Sequence, residues 1–376
     1  MIYLDNAATS KFKPKEVVKA VHGALLNSAN PGRSSHRDAV KSALTVYDTR
    51  EALLSFVGAK GYNAVFTKNC TEALNMALTT IPRGARVVTT MCEHNSVLRP
   101  LHKLARDKGI KIVTLAPSIG GHVPPYRLEN ALKEDTYMFI CNHVSNVNGV
   151  VADVEQFGKI TAKRGVKFVV DGAQSIGHLD VDVTKCHIDM LAIPCHKGLL
   201  APQGLGALIF GDRVSPSPII LGGTGTNSES LTQPKDAPEA FEAGTINYPA
   251  IAGLNASLKY LLAEGRGIKN TISYLTNELI YGLKKIKGIT LYTPDSALTG
   301  VVSFNVRNIP SSTIGDKLSE NYDIATRTGL HCAPLMHNHL KTLEQGTVRA
   351  SIGAGNTIRD VRSLLHAVEK LSKMKI

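Results

Sequence analysis

Short, almost wholly apolar runs return at intervals through the first two-thirds of this chain: Ala64-Val65-Phe66, Val87-Val88, Ile112-Val113, Met138-Phe139-Ile140, Phe168-Val169-Val170 and Met190-Leu191-Ala192-Ile193. Between most of them lie stretches with apolar residues at helical spacing, such as 71–80, 97–107 and 154–164. That alternation predicts right-handed strand–helix–strand crossovers and therefore an α/β fold built on a mostly parallel sheet. The unbroken apolar character of Phe168-Val169-Val170 suits a strand covered on both faces. Ahead of the first strand, residues 14–27 and 35–57 read as helices, the second with Val40, Leu44, Tyr47 and Leu54 at helical spacing and a stop at Gly58.

The pattern changes near residue 250. Two helices are expected at about 250–264 and 269–286, followed by a strand at Val301–Val306, a helix, and a last helix from Ile358 to Lys373. A chain of 376 residues exceeds the size at which one core keeps growing. We therefore expect a large domain over 14–255 and a smaller α+β domain from 1–13 and 256–376.

Composition narrows the function classes. The 43% hydrophobic and 20% charged content is ordinary for a globular protein. The formal charge of +12 is spread along the chain rather than gathered in a tail, so direct nucleic-acid binding is not expected. Six scattered cysteines form no C-x-x-C pair, which argues against zinc and a disulfide framework and for a reducing, cytoplasmic setting. The N-terminus lacks the charge-then-apolar pattern of a signal peptide, and no run of about 18 apolar residues suggests a membrane span.

In an open parallel sheet, ligands bind beyond the carboxyl ends of the strands. The residues there are Cys92, Glu93, His94 and Asn95; Asn142, His143, Ser145 and Asn146; Asp171 and Gln174; and Cys195, His196 and Lys197. Two acids, one lysine, three histidines and four amides would gather at one edge. Taken singly, each has a plain structural reading: Asp171 as a turn residue, the histidines as surface or core residues, Lys197 as an exposed lysine.

Four spans settle the choice: Tyr3-Leu4-Asp5-Asn6-Ala7-Ala8-Thr9, Asp171-Gly172-Ala173-Gln174, His196-Lys197-Gly198, and Arg327-Thr328-Gly329-Leu330-His331-Cys332-Ala333-Pro334. In this order they resemble the class V aminotransferase superfamily, and within it the cysteine desulfurases and selenocysteine lyases with a short loop around the catalytic cysteine. The likeness runs from the first ten residues to about Gly353. It implies the pyridoxal-phosphate (PLP)-dependent transferase fold of type I, with a seven-stranded sheet in the large domain, and a PLP cofactor.

The resemblance also implies roles. Lys197 would hold the cofactor covalently, since a lysine amine is needed for its aldehyde. Asp171 would sit by the pyridine nitrogen, Gln174 by the phenolic oxygen, and His94 would stack on the ring and move protons. Cys70 and Thr71 open a helix whose free N–H groups favour an anion, with Thr71 and His196 matching phosphate contacts. Thr71 also reads as a plain helix cap. Thr245 resembles a threonine that reaches the neighbouring subunit's phosphate, which implies a homodimer. Arg349 matches the substrate-carboxylate position, where a bidentate guanidinium suits best, with Asn146 in support; Arg327 and His36 are further substrate-side candidates, His36 following the loop 30–35.

Cys332 distinguishes desulfuration from transamination. Its thiolate would take sulfur from L-cysteine as a persulfide, for iron–sulfur clusters or another transfer pathway through a sulfur-acceptor protein, and Arg327 and His331 would supply positive charge. The other five cysteines read as structural, with Cys195 a candidate for redox sensitivity beside His196. Pro194 stands where relatives commonly carry a phosphate-binding hydroxyl, and Leu330 where some carry a second histidine. The rival readings are a class V aminotransferase, a lyase releasing sulfide or selenide directly, and a catalytically silent scaffold.

Overall fold

The computed structural model of the chain describes residues 1–31, 34–295 and 297–374. From the N-terminus run β1 (Ile2–Tyr3), α1 (Lys15–Asn27), α2 (Arg37–Phe56), β2 (Asn63–Thr67), α3 (Cys70–Leu78), β3 (Arg86–Thr90), α4 (Asn95–Lys108) and β4 (Lys111–Leu115). Next come α5 (Pro125–Ala131), β5 (Thr136–Asn142), α6 (Val154–Lys163), β6 (Lys167–Asp171), β7 (Met190–Pro194), β8 (Gly206–Phe210) and α7 (Tyr248–Lys285). The C-terminal third adds β9 (Ile289–Leu291), β10 (Val301–Val306), α8 (Ser311–Tyr322), β11 (Ile324–Ala325), β12 (Arg327–Gly329), α9 (Pro334–His339), β13 (Thr347–Ser351) and α10 (Ile358–Ser372).

Seven strands form the large sheet in the order β2-β8-β7-β6-β5-β3-β4. The ladders from β7 through β4 are parallel, and β8 runs antiparallel to both β2 and β7. Strand alternation explains the continuous apolar runs. Phe139, Phe168, Val170, Leu191 and Ile193 point into one core, with α2, α5, α6 and the first half of α7. Met138, Ile140, Val169, Met190 and Ala192 point into the opposite core, under α3 and α4. Both faces are buried, so neither parity could be polar. The strand at Gly206–Phe210 was not singled out from the apolar pattern, although all five of its residues are buried.

A second sheet, order β12-β13-β10-β9, is antiparallel and packs under α8, α10 and the second half of α7. The two helices expected beyond residue 250 are one helix of 38 residues. Gly265 and Gly267 do not break it, because burial of Leu258, Leu261, Ile272 and Leu275 outweighs a cost of roughly 1 kcal/mol per interior glycine. Its side chains pass from the large core at Leu261 to the small core at Ile272. In α2 the expected apolar stripe faces the wrong way. Val40, Leu44 and Tyr47 are exposed, while Ala39, Ser42, Val46, Thr49 and Leu53 are buried. Two faces of that helix have helical spacing, and the one with small residues fits against α7, where Asn255 Nδ2 donates to Thr49 Oγ1 at 3.1 Å.

Candidate active site

The carboxyl ends of the strands hold one pocket, lined among others by Cys70, Thr71, His94, Asn146, Asp171, Gln174, His196 and Lys197. Eight of the nine cofactor-side residues expected from the sequence thus share a single cavity. Asp171 ends β6, and Lys197 follows the end of β7 by three residues. Rigid strand backbone therefore sets the distance between the acid and the amine.

Each group is conditioned by its neighbours. Asp171 is buried; its Oδ1 accepts from Ala173 N–H at 2.9 Å and from the Cys70 thiol at 3.6 Å, and among the described residues Oδ2 is left for another donor. Burial lowers the Lys197 amine and Asp171 opposes that, so the amine loses its proton more readily than an ordinary lysine. His94 caps α4, with Nδ1 accepting from Ser96 N–H at 3.0 Å, which puts the ring proton on Nε2. Burial holds this ring below the usual histidine range. Gln174 Nε2 donates to Ala7 O at 2.9 Å, which fixes the amide in the N-terminal segment.

The phosphate-side expectation changes in one detail. Asn69, not Thr71, caps α3, its Oδ1 accepting from Glu72 N–H at 2.9 Å. Thr71 is exposed, and the N–H groups of Cys70 and Thr71 have no partner within the helix. The cap reading of Thr71 is therefore set aside, and its hydroxyl is available to a ligand.

The C-terminal sheet closes the other side. Arg327 and Arg349 are directly opposed on β12 and β13, a like-charge pairing that is unfavourable by itself. Asp5 bridges them: its carboxylate accepts from Arg349 Nη2 at 3.0 Å and from Arg327 Nε at 3.1 Å. Arg349 is buried, donates from Nη1 to Asn146 O at 3.0 Å, and among the described residues keeps Nε unpaired, as Asn146 keeps Oδ1. An unpaired buried donor and an unpaired buried acceptor are each costly unless a ligand uses them. Asp5 belongs to the Tyr3–Thr9 span, and its role rests on contacts with residues far along the chain.

Cys332 is exposed and the other five cysteines are buried. Its carbonyl accepts from Asn95 N–H at 2.7 Å, next to His94, and Asn146 Nδ2 donates to His331 O at 2.6 Å. The thiol segment is thus tied to the pocket rim at two points. His331 and Cys332 have φ of 48° and 58°, two successive non-glycine residues in the left-handed region. His331 does not supply the expected positive charge. Burial and Arg349 push its ring to about 2, so it is neutral, and the cation whose charge acts on the thiol is Arg349. Cys195 is fully buried with its thiol pushed up by burial, which removes the basis for redox sensitivity there.

Two expected residues lie elsewhere. Thr245 is exposed in a separate groove with Phe66, Lys68, Gly204 and Glu242. His36 caps α2 by accepting from Ala39 N–H at 3.4 Å and does not line the pocket; Gly32 and Arg33 in the loop before it lie outside the described residues. No described helix is long and apolar enough to cross a membrane.

The pocket fits pyridoxal phosphate on its own chemistry. A readily deprotonated lysine, a buried carboxylate with one free oxygen, a ring to stack and a helix N-terminus for phosphate are the groups that cofactor needs. The sequence profile described as Aminotransferase class-V matches residues 2–364. A probable cysteine desulfurase of Methanothermobacter thermautotrophicus is 36% identical over 99% of this chain and 95% of its own length. Another, from Pyrococcus abyssi, is also 36% identical, covering 99% and 94%. The solved apo structure of a cysteine desulfurase from Thermococcus onnurineus NA1 superposes with a TM-score of 0.91 at 35% identity, covering 99% of this chain and 94% of that one.

Proposed function

The chain belongs to the aminotransferase class-V family, and from that premise we propose that it is a cysteine desulfurase which carries pyridoxal phosphate on Lys197 and receives sulfur on Cys332. When bound, the cofactor supplies an electron sink for bonds around the substrate's α-carbon. The protein's own groups do the rest. Asp171 Oδ2 holds the pyridine-nitrogen proton. His94 supports the ring face. The Cys70 and Thr71 N–H groups, the Thr71 hydroxyl and His196 take the phosphate. Lys197 Nζ, lowered by burial, accepts and returns protons. Arg349 takes the substrate carboxylate beside Asn146, and releasing Asp5 from one of its donors would free a second.

The Cys332 thiolate forms an S–S bond to the substrate sulfur as the Cβ–S bond breaks. The electron pair stays with carbon, which is protonated, so L-cysteine and the enzyme thiol become L-alanine and an enzyme persulfide. Exposure of Cys332 then lets an acceptor protein take the sulfur. The observation that carries this reading is the pair of hydrogen bonds joining the thiol segment to the pocket of Lys197 and Asp171. It also disfavours a transaminase, which has no use for a thiol there.

Mass spectrometry after cysteine treatment tests it. One added sulfur on wild type and none on Cys332→Ala, with alanine in solution, supports desulfuration. Sulfide release unchanged in Cys332→Ala would instead establish a direct lyase. We further propose a cytoplasmic homodimer. The exposed Val40, Leu44 and Tyr47 on α2 and the position of Thr245 outside its own pocket support a partner copy.

A further inference from the structure

His196 is the phosphate-side residue whose hydrogen-bonding character is not fixed by its type. A neutral imidazole donates from one ring nitrogen and accepts at the other. Burial, with Lys197 and Lys13 nearby, pushes this ring to about 4, so at neutral pH it offers an anion an N–H or a lone pair according to its tautomer. A lone pair facing phosphate would repel it.

The surroundings choose. His196 Nδ1 lies 3.0 Å from Thr9 Oγ1, while Nε2 has no protein partner among the described residues and the ring lines the pocket. Thr9 Oγ1 also accepts from Gln203 Nε2 at 3.2 Å. An amide N–H only donates, so Gln203 cannot receive the threonine proton. The alternative acceptor, His196 O, is 3.5 Å from Thr9 Oγ1 and already accepts from Ser10 N–H at 3.1 Å, Ser10 Oγ at 2.9 Å and Lys13 Nζ at 3.3 Å. The best destination left for the Thr9 proton is Nδ1.

We propose that Thr9, oriented by Gln203, is a positioning residue that locks His196 in the Nε2–H tautomer, so that the ring donates to the cofactor's phosphate. The proposal rests on the pyridoxal-phosphate reading of the pocket and adds the device that orients one of its contacts. It has extra weight in this chain because Pro194, also lining the pocket, brings no donor.

The test compares pyridoxal phosphate with pyridoxal, which lacks the phosphate, in equilibrium titrations of apo-protein. Thr9→Val is expected to lose about tenfold in pyridoxal-phosphate affinity, the scale of one hydrogen bond to a charged group, with pyridoxal affinity unchanged. Thr9→Ser should restore it, and Gln203→Leu should lose about twofold. If Thr9→Val does not fold, Gln203→Leu in the same comparison carries the test. Equal losses for both compounds, or no loss for either, would overturn the relay. Histidine-ring 15N spectra of wild type add a direct reading: an unprotonated Nδ1 at His196 is expected, and a protonated one would end the idea. Wild type that binds neither compound would remove the cofactor assignment itself and the relay with it.

Discussion

The surroundings of Lys197 and of Cys332 differ in almost every physical respect. Lys197 follows a five-residue strand buried along its whole length, and its neighbours Asp171 and Asn142 end adjacent strands of the same sheet. Cys332 follows a three-residue strand, sits after Gly329 at φ 101° and His331 at φ 48°, and is exposed. A group that stays bound through every turnover gains from fixed walls, because preorganised donors cost no reorganisation at the moment of reaction. A thiol that must meet substrate on one side and an acceptor on the other gains from a segment held by few contacts. The two halves therefore carry different kinds of stability, and substitutions should separate them.

The largest effects should fall on the two reactive groups and differ in kind. Lys197→Ala should lose activity by about 10⁴-fold or more together with covalent cofactor attachment, read as loss of visible absorbance. Cys332→Ala should lose persulfide formation by at least about 10³-fold and keep that absorbance. Equal loss of cofactor in both variants would break the division. Next, Arg349→Lys should cost about 10²-fold in kcat/KM, mostly through KM, because a point charge replaces a fork buried among Asp5, Asn146 and substrate. A purely structural role would instead show as a lower melting temperature with KM unchanged.

A subtler perturbation reaches only the thiol side. Gly346 has φ 67°, and a Cβ there would come within 2.4 Å of the Gly329 backbone. Gly346→Ala should displace the strand leading to Cys332 and slow persulfide formation by about tenfold, since reacting groups tolerate little misplacement. Cofactor affinity should not change. An unaltered rate would mean that this segment relaxes freely and that its strained φ values do not matter to chemistry.

The same contrast decides what could be read from the sequence. The strand ends of the large sheet are legible because apolar runs mark strands and the carboxyl edge marks ligands; that edge offers Asp171, Lys197 and His94 among its candidates, and the family resemblance singles them out and gives their expected roles. The α2 stripe misled because exposed Val40, Leu44 and Tyr47 have the same spacing as a core face, and only packing against α7 tells the two apart. The continuity of α7 was hidden by Gly265 and Gly267, whose local cost is overruled by burial that no window of sequence contains. His331 was read as a cation from its neighbours in the chain. Its burial, a tertiary property, makes it neutral. Asp5 escaped because its partners, Arg327 and Arg349, are more than 300 residues away.

The smallest predicted effect tests how dry the rigid half is. Glu93 is fully buried, accepts from the Thr90 hydroxyl at Oε1 and has no partner at Oε2 among the described residues. Desolvation is the main cause pushing its carboxyl up to about 8, with the Asp171 charge adding to it. In the unfolded chain this acid titrates near the ordinary value of 4.5. The folded state therefore holds the proton more tightly. The stability this provides is complete below about 4.5 and is lost progressively as pH rises through about 8. Glu93→Gln copies the protonated form and removes the titration. Its melting temperature relative to wild type should rise by roughly a few degrees between pH 6 and pH 9, with cofactor absorbance and the persulfide yield unchanged at pH 7. A constant difference across that range would mean that water reaches Glu93, and that the protein interior around it is no drier than the segment where Cys332 is exposed.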